Sequence, residues 1–343
     1  MKTTTPCALL SGCLALGLAC GDGAQGGPAD ASPDAGAPDA AASDAQPADG
    51  GVPDAAEPPP ESFERIEIAA GGLVFDARAA GPEDGELVLL LHGFPETSFE
   101  WRDQLGALGD AGYRAVAPDQ RGYSPRARPT DDDAYEISLL VDDVLAIADA
   151  LGGARFHVVG HDWGAAVAWG VAKLGEDRVR SLSAFSVPHP DAFRQVLADP
   201  TSCQNEASSY FDMFVMPDYA DVLLRGDAFG LRFVYAGLPD EAVDEYLSVL
   251  GTREALSAAL AWYRANVADR MLRGGELGNI TVPTLFVWSD GDTALCRDGA
   301  DLTADFVQGP YRFEVIEGVS HWIPELAPDE STALLLEHLA AAP

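Results

Sequence analysis

The sequence predicts an α/β fold in which helices flank a mostly parallel sheet of eight strands and a helical cap is inserted. From Glu61 onward, short apolar runs alternate with longer helical patterns, as in chains that alternate strand and crossover helix. This alternation breaks once, over residues 189–275, which are aromatic and helix-like with no convincing strand. We therefore expect two core segments, residues 61–188 and 276–343, with a cap formed by residues 189–275.

Eight apolar runs are candidate strands, because each is short and is bounded by turn or helix signals. They begin at Arg65, Leu73, Glu86, Tyr113, Arg155, Val179, Thr284 and Arg312. Helical patterns are clearest at residues 136–151, 163–174 and 331–342. Helices that separate consecutive strands in this way are expected to cover the faces of the sheet.

The first 60 residues are not expected to belong to this fold. Residues 1–20 contain an early lysine, a short apolar run and a small residue before Cys20, which is the pattern of an export signal. The sequence GLAC at 17–20 resembles a lipoprotein cleavage box, so Cys20 is the predicted lipid anchor, with plain secretion as the alternative. Residues 21–60, rich in Ala, Asp, Pro and Gly, predict a disordered tether. We expect an exported protein, anchored on the periplasmic or cell-surface side or else secreted.

The composition limits the partners of the chain. Its formal net charge is -34, and so acidic a surface repels a polyanion, which argues against nucleic acid as a partner. Beyond the leader only Cys203 and Cys296 remain, and the sequence leaves open whether they form a disulfide or stay separate thiols. The six histidines show no metal-ligand spacing, so no metal is expected. The oligomeric state does not follow from these observations.

The segment VVGHDWGAA, residues 158–166, predicts a buried strand, a tight turn and a small-residue helix. Gly160 and Gly164 flank Asp162 as the small residues of a nucleophile elbow do, because the turn leaves no room for their Cβ atoms. An aspartate before a helix can also be an ordinary N-cap. As a nucleophile, a carboxylate attacks saturated carbon and forms an alkyl ester, which must then be hydrolysed.

Hydrolysis of such an ester needs a base, an acid that orients the base, and donors for the oxyanion. His321, on the loop after the last strand, is the candidate base. Asp292, after the seventh strand, is the candidate orienting acid, with Asp290 two positions earlier as the alternative. The backbone N–H groups of Phe94 and Trp163 are the candidate oxyanion donors.

Several segments in combination resemble the epoxide hydrolases of the α/β-hydrolase superfamily. They are HGFPETSFEWRDQ at 92–104, DQRGYS at 119–124, GHDWGAAVAW at 160–169, the strand leading to Asp292, and SHW at 320–322. The resemblance extends from about residue 62 to the C-terminus. It implies an α/β-hydrolase fold, no cofactor, and conversion of a small apolar epoxide and water into a vicinal diol through an ester on Asp162. The implied substrate pocket is lined by His92, Trp101, Phe214 and Trp322.

In that family, two tyrosines of the cap polarise the epoxide oxygen. Tyr210 in SSYFDMFVMP and Tyr263 in LAWYRAN stand in matching contexts. Haloalkane dehalogenases also have an elbow aspartate followed by tryptophan, but they need a second halide donor, and Phe94 stands where an asparagine often provides one; Trp262 is the nearest cap candidate. A catalytically idle, anchored binding protein is the other alternative, and the complete set of catalytic groups argues against it.

Overall fold

The computed structural model describes residues 63–268 and 271–342. The predicted export signal, the tether and the anchor Cys20 lie outside the described residues. Within the described part of the chain, no helix is both long and apolar enough to cross a membrane.

The described residues contain an eight-stranded sheet and a separate two-stranded hairpin. The strands are β1 (Glu64–Ala70), β2 (Leu73–Ala80), β3 (Glu86–Leu91), β4 (Tyr113–Pro118), β5 (Phe156–His161), β6 (Val179–Phe185), β7 (Val267–Ala268), β8 (Met271–Leu272), β9 (Thr284–Ser289) and β10 (Tyr311–Ile316). The sheet has the order β1-β2-β4-β3-β5-β6-β9-β10. Pairing is antiparallel for β1 with β2 and for β2 with β4, and parallel from there to β10. The predicted mostly parallel sheet of eight strands is confirmed.

The central strands are continuous apolar runs because both of their faces are covered. Every residue of β5 and β9 is buried, and in β3 only the first residue is exposed. The edge strand β1 instead mixes exposed and buried positions. This contrast is the one expected between the middle and the edge of a sheet that helices cover on both sides.

Helices form two layers on the sheet. The α-helices of the described residues are α1 (Arg102–Asp110), α2 (Ile137–Ala150), α3 (Trp163–Leu174), α4 (Pro190–Ala198), α5 (Cys203–Ala207), α6 (Phe211–Phe214), α7 (Tyr219–Leu223), α8 (Arg225–Val234), α9 (Asp240–Leu250), α10 (Arg253–Asn266), α11 (Arg297–Leu302), α12 (Ile323–Leu326) and α13 (Pro328–Ala341). Short 3-10 helices lie at Ser98–Trp101, Asp132–Tyr135, Ser208–Tyr210 and Thr303–Phe306. Helices α2 and α3 contribute to one apolar core, and α1 and α13 to a second.

The predicted helices agree closely with the observed ones. Helix α3 has the predicted bounds, and α2 is one residue shorter at each end than the predicted 136–151. Helix α13 begins at Pro328 rather than Ser331, because proline is well tolerated in the first turn, where its missing N–H has no intrahelical partner.

The chain between β6 and β9 contains helices α4 to α10 and the hairpin β7–β8. The sequence predicts no strand in residues 189–275, so the hairpin is a correction. Its strands have two residues each, too few to show the alternation that identifies a strand in a sequence. Helix α8 is interrupted at Gly226, Asp227 and Ala228, whose φ angles are left-handed.

Candidate active site

Asp162 lies at the apex of a strained turn between β5 and α3. Its φ of 50° and ψ of -122° are unusual for a residue with a side chain, and such strain is characteristic of functional positions. A Cβ atom on Gly160 would overlap the carbonyl group of Gly164, and one on Gly164 would overlap the carbonyl group of Leu91. The two glycines are therefore required by the close approach of backbone that places Asp162 at the carboxyl edge of the sheet.

The Asp162 carboxylate has a defined partner for each of its oxygens. Oδ1 accepts a hydrogen bond from the Phe94 N–H at 2.9 Å, and Oδ2 lies 3.4 Å from Nε2 of His321. Burial alone would raise the pKa of Asp162, but the hydrogen bond and positive charge of His321 hold it below its ordinary value. The carboxylate is thus ionised, and Trp163, the first residue of α3, follows it directly.

The structure distinguishes the two candidate acids. Nδ1 of His321 lies 2.8 Å from Oδ2 of Asp292, while the other oxygen of Asp292 accepts the N–H groups of Ala294 and Leu295. Asp290 instead accepts the N–H of Gly318 at 2.6 Å. Asp292 therefore orients His321, and Asp290 holds the turn that precedes it.

His321 carries a positive charge in the resting site. Burial would lower its pKa, but the charge of Asp292 and hydrogen bonds to Asp162 and Asp292 raise it to about 10. Its side chain is only 12% exposed, so these interactions are weakly screened. Neutralising Asp162 would remove one of the two carboxylates that hold this proton.

This arrangement predicts a pH-dependent contribution to stability. Because the pKa of His321 is raised from 6.5 to about 10 on folding, its ion pairs stabilise the fold fully below pH 6.5 and are lost as the pH rises to about 10. The unfolding free energy of the wild type should therefore fall toward that of His321→Gln over this range, as measured by urea denaturation of both. A difference that stays constant with pH would mean that His321 is neutral in the resting protein.

Asp162 and the two predicted cap tyrosines line one cavity of 250 Å³, together with Trp163. The rings of Tyr210 and Tyr263 are 6.2 Å apart, and each hydroxyl is close enough to Asp162 for the charge of its carboxylate to affect it. Burial and neighbouring negative charge raise the pKa of both tyrosines well above 10. Both hydroxyls therefore keep their protons and can donate hydrogen bonds into the cavity.

Comparison with known proteins shows the family of the chain. A family model described as the alpha/beta hydrolase fold matches residues 86–328. Epoxide hydrolase A of Mycobacterium tuberculosis is 36% identical over 317 residues, covering 80% of this chain and 97% of the relative. The chain belongs to the epoxide hydrolases of the α/β-hydrolase family.

Solved structures of epoxide hydrolases extend the comparison to three dimensions. One from hot-environment metagenomes has a TM-score of 0.74 at 30% identity and covers 81% of this chain and 99% of its own. A Bacillus megaterium epoxide hydrolase variant, bound to its diol product, has a TM-score of 0.73 at 26% identity and covers 80% and 100% of the respective chains. The α/β-hydrolase fold predicted from the sequence is confirmed, and the protein is a hydrolase.

The residues that the resemblance assigns to the substrate pocket of this epoxide hydrolase have different positions. Phe214 packs against Phe94 and both cap tyrosines, and the Trp322 ring is 5.2 Å from that of His321. Trp101 and His92 are corrections. Trp101 is fully buried against Phe185 in the core formed with α1 and α13, because the 3-10 helix that carries it turns its ring away from the site.

Both ring nitrogens of His92 have hydrogen-bond partners within the protein. Nε2 accepts the N–H of Gln120 at 3.1 Å, Nδ1 lies 2.9 Å from the carbonyl oxygen of Gly93, and the ring packs on Tyr123. Burial lowers the pKa of His92 to about 4, so the ring is neutral. It supports the loop that carries the Phe94 N–H rather than lining the cavity.

A fully buried cluster of Glu96, Glu100 and His161 lies beside Asp162 and His321, and the sequence analysis does not identify it. Nδ1 of His161 is 2.7 Å from Glu100 and 3.4 Å from Glu96, while Nε2 lies 2.9 Å from the carbonyl oxygen of His321. Glu100 also accepts the N–H of Gly93. The cluster therefore joins the elbow, the Phe94 loop and the His321 loop.

The same three residues offer possible metal ligands within 4.8 Å of one another. Burial would lower the pKa of His161, but the charges of Glu100 and Glu96 raise it well above 6.5, which favours the imidazolium form in this ion-pair cluster. Burial and the charge of Glu100 raise the pKa of Glu96 to about 7. The sequence signal for this cluster was the pair of acidic residues four positions apart in HGFPETSFE, with a histidine directly before Asp162.

Proposed function

We propose that this protein converts small apolar epoxides and water into vicinal diols through a covalent alkyl ester on Asp162. The observation that carries the proposal is that the ionised Asp162 lines the same cavity as Tyr210 and Tyr263, close enough for its charge to act on both tyrosines. A nucleophile and two proton donors that share one cavity match what opening an epoxide requires. The product of the Bacillus megaterium relative, a diol, is consistent with this chemistry.

In the first step, an oxygen of Asp162 attacks one epoxide carbon and displaces the ring oxygen. The carbon–oxygen bond of the ring breaks as the ester bond forms, and the developing alkoxide takes a proton from Tyr210 or Tyr263, which recovers one from water. Both tyrosines are protonated at neutral pH, so either hydroxyl can donate a proton to the alkoxide. The product of this step is a hydroxyalkyl ester of Asp162.

Formation of the ester changes the protonation of His321. Because Asp162 loses its charge, one of the contributions that raise the pKa of His321 disappears, and the imidazolium can release its proton to water. Neutral His321, still oriented by Asp292, then takes a proton from a second water as that water attacks the ester carbonyl. The N–H groups of Phe94 and Trp163 hold the oxyanion. Its collapse breaks the ester bond, and the leaving alkoxide takes the proton of the new carboxylic acid, so that the diol departs and Asp162 is again ionised beside protonated His321.

Haloalkane dehalogenation is less well supported, because neither candidate position among the described residues supplies a second halide donor. The indole N–H of Trp262, the nearest candidate in the cap, donates to the carbonyl oxygen of Arg121 at 2.8 Å and is not free for a halide. Phe94 contributes no polar side chain. An idle binding fold is disfavoured because Asp162, His321 and Asp292 form a connected triad.

The test is incubation of the protein with an aryl epoxide and, separately, with a bromoalkane, with buffer alone as the blank. We expect diol from the epoxide above the blank and no bromide from the bromoalkane. Bromide without diol would favour dehalogenation, with Trp163 as a halide donor. Neither product, over a panel of aryl and alkyl epoxides, would favour a binding protein.

Removing the two cap hydroxyls should slow the first step strongly. We expect Tyr210→Phe and Tyr263→Phe each to lower the rate of ester formation about tenfold, and the double variant to lower it by about 10³, in the range for general acid catalysis. Stopped-flow quenching of Trp163 fluorescence by substrate can report the rate. Tyr235→Phe is the control, since its hydroxyl donates to Pro95 outside the cavity lining. A double variant with the wild-type rate would remove both tyrosines from the mechanism.

We also propose that the protein is exported and anchored through Cys20. The pattern of residues 1–20 supports export, and a disulfide between Cys203 and Cys296 suits an oxidising compartment. Labelling of expressing cells with a radioactive fatty acid should mark the wild type and not Cys20→Ser. Unlabelled protein in the culture medium would favour plain secretion.

A further inference from the structure

A covalent bridge joins the cap to the loop that carries Asp292. Cys203, the first residue of α5, forms a disulfide with Cys296, which precedes α11, and their Cα atoms are 6.3 Å apart. We call residues 290–296, between β9 and α11, the acid loop. Helix α5 continues directly into the 3-10 helix that ends at Tyr210. The disulfide therefore connects, over a few residues on each side, the cap tyrosine and the triad acid.

Gln204 makes a second, non-covalent connection between the same two segments. Its side chain is fully buried. Oε1 accepts the N–H of Cys296 at 2.8 Å, and Nε2 donates to the carbonyl oxygen of Ala294 at 2.7 Å and to the hydroxyl of Ser208 at 2.9 Å. One amide group thus binds both the acid loop and the 3-10 helix of Tyr210.

Hydrogen bonds within the acid loop fix the position of the Asp292 carboxylate. The N–H groups of Ala294 and Leu295 both donate to Oδ1 of Asp292, at 2.8 and 3.0 Å. Since Ala294 is held from the other side by Gln204, a shift of α5 relative to the loop would move the carboxylate that orients His321. Small displacements of this kind are costly, because proton transfers depend on hydrogen-bond geometry.

We infer that Gln204 and the disulfide between Cys203 and Cys296 act as one clamp that positions Tyr210 and Asp292 relative to each other. The inference rests on the proposed function, because Tyr210 serves the first step and Asp292 the second. Gln204 and the two cysteines are positioning residues, since none of them lines the cavity that contains Asp162. The clamp also makes activity depend on an oxidising environment, because Cys203 is exposed and open to thiol reagents.

A role in stability alone makes a different prediction. A disulfide that closes a loop with a sequence separation of 93 stabilises chiefly by restricting the unfolded chain. Its removal would then lower the melting temperature but leave the rate constants of the folded protein unchanged. Rate constants measured well below the melting temperature of every variant therefore separate positioning from stability.

The experiment compares the full chain with Cys203→Ser/Cys296→Ser and with Gln204→Ala. Asn205→Ala is the matched control, because this neighbouring amide on α5 bonds the carbonyl groups of Leu197 and Asp199 and not the acid loop. Rates of ester formation and of ester hydrolysis are measured in single turnovers with an aryl epoxide. Melting curves confirm that each variant is folded at the assay temperature.

We expect both clamp variants to slow ester formation and ester hydrolysis by about tenfold relative to Asn205→Ala, in line with the cost of misplaced catalytic groups. Dithiothreitol should slow the wild type and leave the rates of the double serine variant unchanged. In this reduction the two thiols of dithiothreitol become a disulfide, and Cys203 and Cys296 gain two protons and two electrons. Unchanged rates in folded clamp variants would overturn the inference. An inactive wild type would instead count against the proposed function.

Discussion

Asp162→Ala is expected to abolish diol formation, with a loss of at least about 10⁴ in turnover. Asp162 shares the 250 Å³ cavity with both cap tyrosines, and its charge acts on both of their hydroxyls. Without the nucleophile, an epoxide can still bind between Tyr210 and Tyr263, but no ester can form. Chromatography of the diol gives the rate, and circular dichroism confirms folding.

Asp290→Ala is a suitable control for this variant. Asp290 is also an aspartate at the carboxyl edge of the sheet, but its side chain accepts only the N–H of Gly318 among the hydrogen bonds of the described residues. We expect it to retain most of the activity. If Asp162→Ala kept substantial turnover, water would attack the epoxide directly and the ester mechanism would be wrong.

An isotope experiment tests the same step in the wild type. In a single turnover in water labelled with oxygen-18, water attacks the ester carbonyl, so the label should enter the carboxylate of Asp162 and not the diol. Mass spectrometry of the peptide that contains Asp162 measures it. Label that appears first in the diol would indicate direct hydration.

The elements that position the site could be predicted from the sequence because they depend on local patterns. The elbow follows from two glycines and an aspartate between a buried strand and a small-residue helix, and the steric clashes at Gly160 and Gly164 supply the physical reason. His321 could be placed because it follows the last strand, and the carboxyl ends of parallel strands share one edge. The central strands are identifiable because strands covered on both faces are continuous apolar runs.

Other features depend on contacts that no local pattern encodes. Asp292 is distinguished from Asp290 by its contact with Nδ1 of His321, since Asp290 instead accepts the N–H of Gly318. Trp101 was misassigned to the pocket because its position in a motif does not reveal which face of the sheet its ring covers. The pairing of Cys203 with Cys296 requires a distance that the sequence does not contain.

The cluster of Glu96, Glu100 and His161 has a consequence for the catalytic histidine. Its protonated imidazole lies near His321, the two ring centres being 4.8 Å apart, and its charge counteracts the rise in the pKa of His321. His321 thus lies between the carboxylates of Asp162 and Asp292, with the positive charge of His161 close to its ring. In the proposed mechanism, this balance would let a single change, the alkylation of Asp162, convert His321 from a proton carrier into a base.

His321→Gln is expected to stop turnover after the first step, with a loss of about 10⁴ in the steady state. Glutamine can still contact Asp162 but cannot remove a proton from water, so the ester forms and persists. Intact-mass spectra should show one equivalent of substrate attached to the protein, mapped to Asp162 by peptide analysis.

His338→Gln is the matched control for this result, because His338 lies on α13 and contacts the carbonyl oxygen of Leu182 away from the cavity. It should turn over without accumulating adduct. Absence of adduct in a folded His321→Gln would mean that His321 is needed before or during ester formation. In that case the first step would require the positive charge of His321, which lowers the pKa of Asp162. Without that charge, Asp162 would no longer be held ionised and aligned. Presence of the adduct would therefore show that His321 acts as the base of the second step. Its absence would show that His321 prepares Asp162 for the first step.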